Sequence, residues 1–141
     1  MSRFDVVAAA RAWIGTPYRH QASVCGVGAD CLGLVRGVWR EVSGDEPVVV
    51  PAYTADWAEA EREERLWQAA QKYLRPREDA FRHGDVILFR MRSGMVAKHL
   101  GIVSVTGATP RFIHAYERHG VIESPFSAPW QRRAVTFFEF P

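Results

Sequence analysis

The sequence lacks the features that define several simple classes of protein. Two cysteines in 141 residues are too few for a disulfide-stabilised scaffold. The longest stretch without Asp, Glu, Lys or Arg runs from His99 to Pro110, which is too short to cross a bilayer. The net charge is only +2, and 16 acidic residues offset 16 Arg and 2 Lys, with no basic run longer than two. We therefore expect neither a disordered chain, nor a membrane span, nor a strong nucleic-acid-binding protein.

The length and hydrophobic content of the chain predict one folded domain over residues 1–141. Hydrophobic residues make up 48% of the chain, which is enough to build a core at this length. No signal peptide is expected, because Arg3, Asp5 and Arg11 interrupt the N-terminus where an apolar region would be needed. Without export through such a leader, the simplest expectation for Cys25 and Cys31 is two free thiols.

The first half of the chain reads as helical. Ser2–Ile14 has helical spacing with a capping-box pattern, and a second helix begins after Asp30 and ends near Gly44. Between these two helices, residues 18–29 show neither helical nor strand periodicity in their hydrophobic residues, which predicts an irregular loop. Residues 56–74 predict a third helical zone after a Pro-bounded connection. Two glycines four apart in the second helix predict close packing, most simply against a strand.

The second half reads as strands. The predicted strands cover residues 85–90, 99–105, 111–116, 121–122 and 134–140. Short connections between successive strands favour an antiparallel meander. Helices followed by strands predict an α+β fold.

Cys31 is the residue most informative about chemistry, because it follows the helix cap Asp30 directly. Backbone N–H groups and the helix dipole at such a position lower a thiol pKa, to roughly 3.5–7.5 when an imidazolium is also near. A nucleophilic thiolate needs a base, for which His99 and His114 are the candidates. Spacing alone leaves open that Cys31 is a small buried hydrophobic residue and that His114 is a core histidine.

Five segments, in order along nearly the whole chain, resemble motifs of the NlpC-type cell-wall peptidases, a papain-like family of cysteine hydrolases. They are Gly-Thr-Pro-Tyr-Arg (15–19), Ala-Asp-Cys-Leu-Gly-Leu-Val (29–35), His-Gly-Asp-Val-Ile-Leu-Phe (83–89), His-Leu-Gly-Ile-Val (99–103) and Phe-Ile-His-Ala (112–115). The resemblance implies an α+β, papain-like NlpC-type domain, with N-terminal helices packed on an antiparallel β-sheet or half-barrel.

The resemblance also implies roles for four residues. Cys31 is the expected nucleophile, His99 the base and acid, and His114 the residue that orients His99. The Tyr18 hydroxyl is expected to help bind the oxyanion together with the backbone N–H of Cys31. No cofactor or metal is expected; a zinc site from Cys25, Cys31 and His99 lacks a C-x-x-C pair and a fourth ligand.

The implied function is a cysteine endopeptidase that hydrolyses peptidoglycan stem peptides, at the bond between D-glutamate and the following diamino acid. Leu32 and His83 depart from the family's usual Ser and Pro. The Asp-Cys-Leu-Gly-Leu form and the lack of wall-binding repeats resemble the subgroup found in phage tails and gene-transfer-agent particles. This subgroup implies tail-tip or hub partners. It also implies synthesis in the bacterial cytoplasm, incorporation into a virion-like tail and action in the target cell envelope.

The sequence leaves more than one interpretation open for the whole chain and for three of its features. The chain could instead be a structural tail-hub component or plug that keeps the peptidase fold with little or no activity. Residues 45–80 form a helical insertion, either a docking or lid element or surface decoration. Cys25 is expected in the loop bordering the cleft, as a plain free thiol or as part of the substrate wall. Arg19, Arg92 and Arg118 are candidates to receive substrate carboxylates, although compositional bias explains abundant arginine equally well.

Overall fold

A computed structural model describes residues 2–51, 53 and 63–141 of the chain. The described elements, in chain order, are α1 (Arg3–Ala12), β1 (Ser23–Val24), β2 (Gly28–Ala29), α2 (Cys31–Ser43), α3 (Arg65–Tyr73), β3 (Arg75–Arg77), β4 (Val86–Phe89), β5 (His99–Val105), β6 (Arg111–Tyr116), β7 (Gly120–Pro125), α4 (Ala128–Arg133) and β8 (Ala134–Glu139). The predicted α+β class is confirmed. Among the described helices, none is long and apolar enough to cross a membrane.

Six strands form one antiparallel sheet in the order β3-β8-β4-β5-β6-β7. The run β4 to β7 is the predicted meander. The prediction is wrong for β8, which returns across the sheet to pair with β4 instead of following β7. This crossover makes β4 a central strand, which explains why its sequence Val-Ile-Leu-Phe is apolar at every position and fully buried.

The sheet carries a hydrophobic cluster on each face. On one face, Val86 and Leu88 of β4 pack with the apolar sides of α1, α2 and α3. On the other face, Ile87 and Phe89 pack with aromatic residues that include Phe112 and Phe126. Because side chains alternate along a strand, β4 supplies both clusters.

The helix predictions hold at both ends of the first two helices. Ser2 caps α1 in a capping box with Asp5, and Asp30 caps α2 by accepting from the backbone N–H of Gly33 at 2.7 Å. Gly44 follows the last residue of α2 with a φ of 89°, a conformation that glycine adopts without strain.

The glycines of α2 pack closely, but not against a strand as predicted. A Cβ on Gly37 would lie 2.0 Å from the indole of Trp13, at the end of α1. A Cβ on Gly33 would lie 1.8 Å from the carbonyl oxygen of Ala22, in the loop before β1. These glycines therefore let α2 approach α1 and the preceding loop.

Three short elements were not predicted. The hairpin β1–β2 falls in residues 18–29, which were predicted as irregular, and β3 and α4 were assigned no structure. The last strand of the meander, β7, is also longer than the predicted 121–122. The strands β1, β2, β3 and β7 form because each pairs with another strand. Local periodicity in the sequence does not reveal such pairing.

The insertion predicted at 45–80 is partly described. Residues 52 and 54–62, which include the start of the helical zone predicted at 56–74, lie outside the described residues. The described helix α3 places Leu66, Ala70 and Leu74 in the main hydrophobic cluster. This part of the insertion is therefore packed into the core and is not surface decoration.

A buried carboxylate ties α1 to the sheet. Asp85 is fully buried and accepts hydrogen bonds from Arg3 Nη1 at 2.6 Å, Arg77 Nε at 3.0 Å and the backbone N–H of Arg82 at 2.8 Å. Arg3 also pairs with Glu139 of β8 at 2.5 Å. Because both oxygens of the buried carboxylate have hydrogen-bond partners, this cluster gives Asp85 a structural role.

Candidate active site

Cys31 lies at the first residue of α2, beside the start of β5. Its sulfur is 3.7 Å from the carbonyl oxygen of Lys98, to which the thiol donates. The backbone N–H groups of Cys31, Leu32 and Leu100 also point toward the sulfur and favour its thiolate form. Cys31 thus sits against the peptide groups on either side of His99, so the fold brings the two predicted residues to one place.

The pKa of the Cys31 thiol nevertheless differs from the sequence prediction. Burial of the sulfur, followed by repulsion from the nearby Asp30 carboxylate, raises the pKa to about 12. The helix N–H groups act in the predicted direction but are outweighed. The expected imidazolium is also missing in the free protein, because burial lowers the pKa of His99 to about 4 and keeps its ring neutral near pH 7.

His99 and His114 are hydrogen-bonded to each other. His99 Nε2 and His114 Nδ1 are 2.8 Å apart, and both residues are buried. The ladder between β5 and β6 pairs Ile102 with Ile113 and Val103 with Phe112. The same register, continued along both strands, brings His99 opposite Tyr116 and leaves His114 diagonal to His99. Diagonal side chains are within reach of each other, which fits the 2.8 Å hydrogen bond between the two rings.

The hydrogen bond between the rings determines what the second nitrogen of each ring can do. With Nε2 of His99 engaged, only Nδ1 of that ring is available to exchange a proton with Cys31. His114 uses its second nitrogen as well, because its Nε2 is 3.0 Å from Ser124 Oγ on β7. Burial, with smaller contributions from His99 and His119, lowers the pKa of His114 and keeps it neutral.

Aromatic side chains enclose the two imidazoles. His114 stacks on Tyr116, with ring centroids 5.2 Å apart, and lies 4.2 Å from the ring of Phe112. Trp130 of α4 closes the far side, 5.1 Å from His114 and 6.0 Å from His99. This apolar wall removes water from the rings, which is the physical cause of their low pKa values.

Tyr18 is held near the nucleophile by backbone pairing. Tyr18 forms a strand-like bridge to Ala29, next to the hydrogen bond from Ala29 N to Pro17 O at 3.0 Å. This pairing holds Tyr18 beside Ala29, which lies two residues before Cys31 in the chain. Partial burial, followed by the charges of Cys31 and Asp30, raises the pKa of the Tyr18 hydroxyl above its usual range. The hydroxyl therefore stays protonated and able to donate.

Asp30 does more than cap α2. Its second oxygen accepts from the backbone N–H of Gln21 at 2.7 Å and from the hydroxyl of Tyr53. The carbonyl of Tyr53 in turn accepts from Gln21 Nε2 at 2.7 Å and bonds His20 Nε2 at 2.6 Å. Tyr53 therefore connects the segment after α2 to the cap beneath Cys31. Local sequence patterns do not reveal this contact, because it joins residues 23 positions apart.

Glu64 makes a similar connection to the base. Its carboxylate accepts from the backbone N–H of Ala97 at 2.7 Å and from Arg90 at 2.9 Å. Ala97 lies two residues before His99. The insertion thus fixes the loop that leads into the strand carrying the base.

An apolar groove of about 540 Å³ opens beside Cys31. Among the described residues, Leu32 and Leu100 form the end nearest the sulfur, and Trp39, Leu66 and Tyr73 lie farther along it. The groove runs between α2 and α3. Leu32, the departure from the family's usual Ser, contributes to its apolar character.

Other predicted residues lie elsewhere. Cys25 is exposed at the β1–β2 hairpin, with its thiol 3.4 Å from the carbonyl oxygen of Ala12 in α1, so it does not join the Cys31 site. In the part of the chain that the structure describes, no three His, Cys, Asp or Glu side chains converge on a metal position. Ser124 and Trp130 were missed by the sequence analysis because β7 was predicted too short and α4 not at all. The Ser-Ala-Pro start of α4 was the local signal available.

The α+β architecture, with a cysteine at a helix start facing histidines on a sheet, defines a papain-like NlpC domain. The NlpC/P60 family model matches residues 15–139, and the chain belongs to the NlpC/P60 family. Because the match spans most of the chain, it includes all four predicted site residues.

Solved structures support the fold. The NlpC/p60 domain of the peptidoglycan hydrolase SagA aligns with a TM-score of 0.63 at 20% identity, covering 99% of this chain and all of that one. The crystal structure of Ly7917 aligns with a TM-score of 0.63 at 16% identity, covering all of this chain and 63% of that one. Ly7917 with the hydrolysing product of MDP gives a TM-score of 0.64 at 20% identity, covering 99% of this chain and again 63% of that one. No curated protein sequence matches the chain.

Proposed function

We propose that this protein is a cysteine endopeptidase that hydrolyses peptidoglycan stem peptides, with Cys31 as nucleophile, His99 as base and acid, and His114 as the residue that orients His99. The observation that carries the proposal is the buried His99–His114 hydrogen bond of 2.8 Å, next to a partly buried cysteine at a helix start. Two buried, hydrogen-bonded imidazoles contribute little to stability that an apolar pair would not, so the cost of burying them points to chemistry.

The neutral pair fits a general-base route. His99 Nδ1 takes the thiol proton as the sulfur attacks the scissile carbonyl, and His99 Nε2–H donates to His114 Nδ1. The Cys31 N–H and the Tyr18 hydroxyl stabilise the oxyanion. His99 then protonates the leaving amine, and water releases the acyl group from the sulfur. No cofactor or metal takes part in these steps.

The substrate assignment rests on the family and its neighbours. One aligned domain belongs to a peptidoglycan hydrolase, and another structure holds a hydrolysis product of MDP. The resemblance favours the bond between D-glutamate and the diamino acid. The Asp-Cys-Leu-Gly-Leu motif favours a place in a phage-like or gene-transfer-agent tail, next to tail-tip or hub proteins, with wall penetration as the task.

A comparison of two cysteine variants tests the hydrolase directly. Purified protein, Cys31→Ser and Cys25→Ser are incubated with muropeptides, and the new amino termini are identified by mass spectrometry. Turnover should fall by a factor on the order of 10³ or more in Cys31→Ser, because nucleophile and base act as a unit. Cys25→Ser is the matched control and should keep full activity. Equal turnover by all three proteins would contradict the assignment.

Delivery by particles distinguishes the hydrolase from the structural alternative, a tail-hub component or plug with little activity. The hydrolase makes the following prediction. Particles carrying Cys31→Ser should assemble normally but deliver their contents poorly through an intact wall, and delivery should recover after enzymatic thinning of that wall. Normal delivery by the variant would favour the structural role. Failure to assemble would mean that Cys31 is needed for packing.

A further inference from the structure

The two-histidine arrangement ends on a hydroxyl that the family motifs do not include. Ser124 lies on β7, opposite Phe112 and diagonal to His114, on the same face of the sheet. Its Oγ is 3.0 Å from His114 Nε2, on the far side of the ring from His99. The series from the nucleophile outward is therefore Cys31, His99, His114 and Ser124.

A neutral imidazole carries one hydrogen, on one of its two nitrogens. The bond between His99 Nε2 and His114 Nδ1 therefore allows two arrangements of the hydrogens. In the first, His99 Nε2–H donates to His114 Nδ1, and His114 Nε2–H donates to Ser124 Oγ. In the second, every bond is reversed and the Ser124 hydroxyl donates to His114. Only the first leaves a lone pair on His99 Nδ1 that can accept the thiol proton.

Protonation of His99 during the reaction is compatible only with the first arrangement. Once His99 has taken the proton from Cys31, both of its nitrogens carry hydrogen and both must donate. His114 then has to accept through Nδ1, so its own hydrogen sits on Nε2 and needs an acceptor. Ser124 Oγ is the acceptor within reach.

We propose that Ser124 is a positioning residue that accepts the His114 Nε2–H and so holds His114 ready to accept from His99. This inference rests on the proposed function, because it concerns the same thiol–imidazole pair. Ser124 touches neither substrate nor nucleophile and acts only through His114. Without it, the Nε2–H of His114 faces the aromatic wall of Phe112, Tyr116 and Trp130 with no hydroxyl to accept from it.

The test uses Ser124→Ala, with Ser124→Thr as the conservative variant and Ser104→Ala as the matched control. Ser104 Oγ, on β5, donates to Glu123 Oε2 at 2.6 Å. Ser104→Ala therefore removes the hydrogen bond of a buried serine from the same sheet and leaves the bond between Ser124 and His114 in place.

We expect Ser124→Ala to lower kcat by about 10- to 100-fold with KM nearly unchanged, since a hydrogen bond to a group that becomes charged is lost. Ser124→Thr should restore most of kcat, and Ser104→Ala should leave it within about twofold of wild type. An unchanged kcat in Ser124→Ala, or a loss of similar size in Ser104→Ala, would overturn the proposal.

Two readouts are independent of hydrolysis. Nitrogen-15 NMR of the histidine rings should show His114 with its hydrogen on Nε2 in the wild type and a changed tautomer balance in Ser124→Ala. Alkylation of Cys31 by iodoacetamide, followed by peptide mass spectrometry with Cys25 as an internal reference thiol, should slow about tenfold or more in Ser124→Ala. A wild-type His114 with its hydrogen on Nδ1 would overturn the proposal.

These readouts separate the two hypotheses. If wild-type protein cleaves no muropeptide, the proposed function fails, while the tautomer and alkylation data still decide the role of Ser124. If Cys31-dependent cleavage is present and Ser124→Ala matches wild type in all three measurements, only the Ser124 proposal fails.

Discussion

The hydroxyl of Tyr18 and the sulfur of Cys31 share one small polar region at the start of α2. The carboxylate of Asp30 lies in the same region and repels negative charge on either group. Burial is the larger cause of the raised pKa of each group, and together with this repulsion it holds both the phenol and the thiol in their protonated forms. A protonated phenol is a donor, which is what the developing oxyanion of an acyl transfer needs.

At the residue scale, we therefore predict that Tyr18→Phe lowers kcat by about 10²- to 10³-fold, the usual effect of removing one oxyanion donor. The ring and its packing remain, so the unfolding free energy should change little. Steady-state kinetics on muropeptides measures the effect, and Tyr73→Phe, on α3, is the control. A kcat equal to wild type would leave Tyr18 as a packing aromatic only.

At the scale of elements, the position of Cys31 depends on how closely α2 can approach its neighbours. The Gly37 position of α2 faces Trp13, and the Gly33 position faces a backbone carbonyl next to the Asp30 cap. A side chain at either position would push the start or middle of α2 away from the loop and from α1. The small residues are thus needed for the site even though they touch no substrate.

Substitution of Gly37 tests this packing. Helix propensity alone predicts that Gly37→Ala stabilises the protein by about 1 kcal/mol. The 2.0 Å approach of Trp13 predicts the opposite, a loss of about 1–3 kcal/mol from overpacking. Urea unfolding gives the sign.

The partner substitution supplies the control. Trp13→Leu costs stability by itself, but Gly37→Ala should cost much less in that background because the ring is gone, giving a measurable coupling. Gly33→Ala should be more damaging than Gly37→Ala, because a backbone carbonyl moves less easily than a side chain. Stabilisation by Gly37→Ala in the wild-type background would contradict the packing argument.

At the scale of the whole molecule, the two buried histidines make folding depend on pH. Burial lowers the pKa of His99 to about 4, and burial with the neighbouring His99 lowers that of His114 further, from an ordinary value of 6.5. Between pH 6.5 and about 4 the unfolded chain binds protons that the folded chain does not. Stability from these groups is therefore complete above about pH 6.5 and falls as the pH decreases.

The expected slope is up to about 1.4 kcal/mol per pH unit for each histidine in that window. Urea unfolding at half-unit steps from pH 7 to 4.5 measures it. His114→Gln should reduce the slope, whatever it does to the absolute stability, and the exposed His119→Gln should not. A flat profile would mean that the histidines are charged or solvated in the folded state.

The sequence by itself determined the elements whose signals are local. The cap at Asp30, the period of α2 and the apolar runs of β4, β5 and β6 each specify their structure within about ten residues, so their bounds were predicted closely. Motif order then identified Cys31, His99, His114 and Tyr18 as the candidate residues, whose catalytic roles stay a prediction.

Only the tertiary structure decided the features that depend on distant pairing and on burial. The crossover of β8 to β4, the Glu64 and Tyr53 contacts and the Ser124 end of the histidine series join residues far apart in the chain. The protonation of the site was decided there as well. A helix start alone favours a thiolate, but burial of the sulfur, followed by repulsion from the Asp30 carboxylate, outweighs it and raises the pKa of Cys31, because removing water from a charge costs more than a few N–H groups return.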